Sequence, residues 1–77
     1  MMYVTGHYDT SGTTQYAEQM SRRMAESVRD YLISAGLLAG ALKVSWSGER
    51  QLAIPTRDGV TEAANRRIEI NFHFPPN

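Results

Sequence analysis

The side chains best placed to do chemistry lie in two short segments, Thr5-Gly6-His7-Tyr8-Asp9-Thr10-Ser11-Gly12 and Ala64-Asn65-Arg66-Arg67-Ile68-Glu69-Ile70. Each joins a polar loop to an alternating strand, and together they supply one carboxylate, Asp9, and two guanidiniums, Arg66 and Arg67. Such a set suits a small zwitterion. Hydrogen bonds to ionised groups are the strong ones, and a planar guanidinium grips a carboxylate through two parallel bonds.

Other chemistries find too few groups. His7 and Asp9 are two apart and share one face of a strand, but a metal centre needs three or four ligands and His73 is far along the chain. No nucleophile, base and orienting group form a spaced set, and no phosphate-binding loop is present. The residues therefore point to a binding module with no catalytic residues, no metal and no cofactor.

Composition narrows the partners. Eight basic and eight acidic residues cancel, so no broad field draws the chain to nucleic acid or to an anionic membrane surface. The absence of cysteine excludes a disulfide framework and a thiolate metal site. No apolar run approaches the ~20 residues that span a bilayer, and Met1 to Thr5 has neither the charged nor the apolar region of a secretory signal. At 77 residues the expectation is one domain, 1–77, with a small core.

The elements that must position these groups follow from periodicity. Met2 to His7 is short and β-prone, and it runs into the first polar loop. Thr13 or Thr14 caps a helix running from Thr14 to Ala35, with Glu18 expected in its first turn against the helix dipole. Its expected apolar stripe is Tyr16, Met20, Met24, Val28, Tyr31, Leu32 and Ala35, and Gly36 is the natural stop. Leu42, Val44 and Trp46 alternate with Lys43, Ser45 and Ser47 in a second strand. Gln51 to Gly59 reads as an irregular surface connection with Pro55 and Asp58-Gly59 as turn residues, and a single helical turn follows near Thr61 to Asn65. The last strand sets Ile68, Ile70, Phe72 and Phe74 on one face and Glu69, Asn71 and His73 on the other, until Pro75 and Pro76 end it.

Taken in order, the G-H-x-D-T-S-G loop, the M-S-R-R-M-A helix segment and the N-R-R-I-E-I strand resemble the OmpA-like C-terminal domain family, from about Tyr3 to Phe72. The resemblance implies an α/β two-layer sandwich, a mixed β-sheet with helices packed on one face. It also implies a function, noncovalent binding of peptidoglycan on the periplasmic side of the outer membrane. The ligand would be the diaminopimelate-containing stem peptide, tethering an envelope protein to the cell wall. By the same resemblance Asp9 receives the ligand ammonium, Ser11 and Gly12 face its carboxylates, and Arg66 and Arg67 match the family's paired arginines; from the residues alone, Asp9 can instead brace its own loop by an Asx-type turn, and the arginines can pair with Asp9, Glu62 or Glu69 as solvated salt bridges. Family members place a strand and a helix before the G-H-x-D strand, so this chain reads as N-terminally truncated, with any outer-membrane anchor in segments absent from it. An isolated loop carboxylate would then matter to binding far more than to stability.

Four positions depart from the family pattern. Met24 stands where a ligand arginine is usual, and Arg22 and Arg23 do not share its direction because each residue turns ~100° about the helix axis. Ala17 replaces an asparagine, Tyr8 a threonine, and Glu62 a frequently basic residue. These departures support an alternative, an OmpA-like scaffold or protein-interaction module that has lost wall binding.

Overall fold

The computed structural model describes residues 1–57 and 59–72. Strand β1 (Met2–His7) is followed by helix α1 (Thr14–Ser34), strand β2 (Leu42–Gly48) and strand β3 (Arg67–Phe72). Short 3-10 turns precede β2 (Ala39–Ala41) and β3 (Ala63–Asn65). The sheet is mixed, in the order β2-β1-β3, with β1 parallel to β2 and antiparallel to β3. Phe74, Pro75, Pro76 and His73, read above as the end of the last strand, lie outside the described residues, as does Asp58 of the expected turn.

Helix α1 starts and stops where local chemistry dictates. Thr13 is the N-cap, its hydroxyl accepting from the Tyr16 amide at 3.0 Å. At the other end Gly36 takes φ 111°, its amide bonds the Ile33 carbonyl, and the Leu37 amide bonds that of Leu32. That pair of bonds is a Schellman closure, which satisfies carbonyls left open by the last turn. No acidic residue lies in the first turn. Glu18 falls one turn later than expected and pairs with Arg50 at 3.5 Å.

The expected stripe packs on the core at Val28 and Leu32, but along the N-terminal half of α1 the buried face is rotated from it. Ala17, Ser21 and Ala25 are its buried residues, whereas Tyr16 and Tyr31 are 45% and 71% exposed. The reason is proximity. A Cβ added to Gly6 would stand 1.9 Å from the Ser21 carbonyl oxygen, so the helix backbone rests almost directly on β1. Only small side chains fit in that seam, and a count of large apolar residues passes over them. Ser21 satisfies its own hydroxyl there, donating to the Glu18 carbonyl and accepting from the Gly48 amide.

Val4, Ala25 and Leu42 form the core, with Met2, Val28, Leu32, Ile33, Val44 and Ile68 packed around them. Register places Met2, Val4 and Gly6 opposite Phe72, Ile70 and Ile68, so the apolar side of β3 shares the helix-covered face. The helix lies over β1 and β2, and at β3 the cover thins: Ile70 is 44% and Phe72 62% exposed. On the opposite face polar groups pair across strands, as in the 2.7 Å bond between the Thr5 and Ser45 hydroxyls.

Candidate functional site

Chain leaving β1 enters the first polar loop, and a bond from the Tyr8 amide to the Gly48 carbonyl fixes its departure angle. Asp9 follows, completely buried. Its Oδ1 accepts from the Ser11 amide at 3.2 Å and the Ser11 hydroxyl at 2.6 Å, an Asx-type turn. Its Oδ2 accepts from the Glu62 amide at 3.1 Å and lies 3.2 Å from Arg66 Nε. Burial by itself raises the Asp9 pKa, but the Ser11 hydroxyl, the two amides and the Arg66 guanidinium together outweigh it and hold the carboxyl below its ordinary value. Asp9 is therefore ionised in the fold and part of its framework. The expectation of a carboxylate that matters little to stability does not survive this geometry.

Three of the five expected site residues converge. Asp9 contacts both Ser11 and Arg66, and Gly12 follows Ser11 with its backbone against the Tyr16 ring, where a Cβ would come within 2.8 Å of Cδ1. Tyr16 also meets Tyr8 edge to face, with ring centroids 5.8 Å apart. Arg67 turns elsewhere: it binds Glu69 at 2.9 Å and donates to the Gln51 carbonyl. The two adjacent arginines thus serve different sides of the chain, as alternation along a strand requires.

Behind the loop is a polar framework that sequence reasoning missed. The Thr10 hydroxyl lies 2.7 Å from the Arg57 carbonyl and accepts from the Val60 amide, while the Thr10 carbonyl accepts from Gly59. Asn65, fully buried, bonds both the amide and the carbonyl of Ile54 at 2.8 Å, as a neighbouring strand would. The connection expected to be an irregular surface segment has no regular structure among its described residues, and these two side chains hold it at Ile54 and from Arg57 to Val60. Both residues sit inside the two opening segments, but the reading of those segments gave neither of them a role.

His7 occupies the open face. It is buried, bonds the Ser47 hydroxyl through Nδ1 at 2.7 Å, and has Nε2 3.6 Å from Glu69. Burial, aided by Arg67 and opposed by Glu69, lowers its pKa, so the ring is neutral in the fold. The Arg67 guanidinium in turn lowers the Glu69 pKa. Among the described residues no three His, Asp or Glu side chains converge in a way that would hold a metal ion.

The departures also find places. Ala17 is sealed in the helix–sheet seam, where an asparagine amide would need room that Ala17 does not use. Met24 is half-buried on the flank of α1. Glu62 sends its amide to Asp9 and its carboxylate to the Ala64 amide, capping the 3-10 turn.

A family model described as the OmpA family matches residues 1–66. The chain belongs to the OmpA family. Its relatives agree. An outer membrane protein of Gluconacetobacter diazotrophicus is 34% identical over 76 residues, covering 91% of this chain and 20% of the relative. A peptidoglycan-associated lipoprotein of Pasteurella multocida is 33% identical over 69 residues, covering 90% of this chain and 46% of the relative. Outer membrane porin F of Pseudomonas aeruginosa is 37% identical over 70 residues, covering 86% and 19%. The OmpA-family chain thus spans less than half the length of each of these relatives. Its mixed three-stranded sheet with a helix packed on one face is the OmpA-like α/β fold.

Proposed function

We propose that this chain is a peptidoglycan-binding module of a cell-envelope protein, acting on the periplasmic side of the outer membrane and recognising the diaminopimelate-containing stem peptide without a covalent bond. The observation that carries the proposal is the Asp9–Arg66 pair: a wholly buried carboxylate on amide donors, covered by a guanidinium that is 39% exposed. A ligand carrying both an ammonium and a carboxylate has a direct route into such a pair. Its ammonium takes Asp9 Oδ2 as its carboxylate draws Arg66 outward, so one internal ion pair becomes two charge-assisted contacts. Ser11 and Gly12 line the approach, and Arg67 steadies the Gln51 segment behind it.

Support comes from membership of the OmpA family and from relatives named as peptidoglycan-associated lipoproteins. Purified diaminopimelate-type sacculi test the reading. The chain is expected to sediment with them, and Arg66→Ala is expected to stay folded and remain in the supernatant. Equal sedimentation of the two proteins would refute the site.

A second reading rests on Met24 and Ala17, neither of which offers a polar group where the family pattern has one. In it the domain keeps the fold as an interaction scaffold and binds another envelope protein. Failure of the folded chain to sediment with any sacculus preparation would favour it.

A further inference from the structure

Trp46 is the chain's single tryptophan, half-buried on β2 at the position opposite Gly6. Two open depressions meet at its indole. One, of about 340 Å³, is lined by Val44, Ser45, Trp46 and Arg50; the other, of about 320 Å³, by Gln15, Glu18, Gln19, Arg22 and Trp46. A third, of about 330 Å³, continues along α1 from Gln19 and Arg22. The result is a continuous trough running from the sheet edge along the helix, with an aromatic ring at its middle. Asp9, Arg66 and Ser11 do not line it.

Its chemistry is specific. The Arg22 guanidinium carbon lies 4.9 Å from the Trp46 ring centroid, which steadies the indole by cation–π attraction. Arg50 bonds the carbonyls of Trp46 and Ser47, fixing the rim and closing part of the β2 edge. Most of the charge is paired in place, Arg22 with Glu26 at 3.4 Å and Arg50 with Glu18 at 3.5 Å, which leaves a net charge of one from Arg23 at the far end of the trough. A polyanion therefore gains little here. What remains is an aromatic face bordered by two glutamine amides and two forked guanidiniums, donors and acceptors suited to a neutral ligand with many hydroxyl and amide groups.

We infer that this trough is a second subsite, binding an N-acetylated amino-sugar glycan with a pyranose against Trp46 beside the Arg22 guanidinium that lies over its ring, and its hydroxyl and acetamido groups against Gln19, Arg22 and Arg50. The inference rests on the peptidoglycan reading above and deepens it. Gly48, two residues beyond Trp46, holds the Tyr8 amide at the mouth of the Asp9 loop, so the trough and the loop are joined at about 7 Å along β2. A stem peptide at Asp9 and the glycan it hangs from would then be bound on one continuous surface.

The single indole makes the test direct. Glycan strands stripped of stem peptide by an amidase are titrated against the chain while Trp46 emission is followed. A saturable change is expected, retained in Arg66→Ala, and weakened roughly tenfold in Arg22→Ala, an exposed substitution that leaves the fold intact. Isolated stem peptide should leave the emission unchanged. If the chain sediments with intact sacculi yet stripped glycan changes nothing, and Arg22→Ala and Trp46→Phe sediment as the parent does, the trough is refuted while the stem-peptide reading stands. If the folded chain binds neither intact sacculi nor stripped glycan, both fall.

Discussion

The helix–sheet seam and the Asp9 loop are both tightly packed, but by opposite means. In the seam a glycine, two alanines and a serine bring backbones together, and apolar contact around Val4 and Leu42 holds them. In the loop the buried groups are Asp9, Thr10 and Asn65, and most of their contacts are hydrogen bonds to backbone. Apolar burial gives cohesion without direction, whereas buried polar groups are worth little net but cost a great deal when left unpaired. The seam therefore sets whether the chain folds, and the loop network sets the shape of the proposed binding surface.

Breaking the seam should have the largest effect. Gly6→Ala forces a Cβ into the Ser21 carbonyl, and because backbone rather than a side-chain tip is in the way the expected loss is at least ~3 kcal/mol, at or beyond the usual range for overpacking. Urea unfolding should show a collapsed midpoint or no transition.

Asn65→Ala should come next. Both polar groups of Ile54 lose their partner, and a buried unsatisfied group costs about 1–3 kcal/mol. The distinguishing readout is local: hydrogen exchange at the Ile54 amide should accelerate well before that of the β1 amides. Uniform acceleration across both regions would mean that loop and seam unfold as one unit.

Acid separates the regions in another way. His7 is neutral in the fold with a lowered pKa, so acidification favours the unfolded chain as soon as pH falls through ~6.5, the unfolded value, and the loss continues to the lower folded value. Asp9, with a depressed folded pKa, contributes stability that is present above ~3.9 and disappears as pH falls from there through its folded value. Stability should therefore fall in two stages on acidification. His7→Gln should remove the first stage, and Asp9→Asn should blunt the second.

The smallest stability change is expected at Met24→Arg. The side chain is half-buried on the flank of the helix rather than in the core cluster, and arginine is as good a helix former as methionine, so the change should stay within ~1 kcal/mol. Calorimetry should show tighter binding of a diaminopimelate peptide if the added guanidinium reaches the ligand carboxylate. An unfolded Met24→Arg protein would place this residue in the seam after all.

Legibility in the sequence followed the same division. β-propensity ahead of a polar loop located β1, period-two alternation located β2 and the start of β3, and the Thr13 cap and Gly36 stop bounded the helix, because those signals are local. The helix face was read correctly at Val28 and Leu32 and misjudged in the N-terminal half, because Ala17, Ser21 and Ala25 act through smallness, a property that matters only beside Gly6, far away in sequence. In the same way Asp9, Ser11 and Arg66 were legible as a set, while the direction of Arg67 and the inward turns of Thr10 and Asn65 depend on a loop whose path exists only once the chain has folded.

The central claim is that the Asp9–Arg66 pair opens to a zwitterion. The most direct measurement is isothermal titration of a soluble diaminopimelate-containing tripeptide into the parent chain, into Arg66→Ala, and of the lysine-containing analogue into the parent. The account predicts saturable binding for the first alone, with at least ~tenfold weakening in the other two, about the worth of one lost charge-assisted contact. Equal heats and affinities for Arg66→Ala and the parent, in proteins that melt alike, would contradict it.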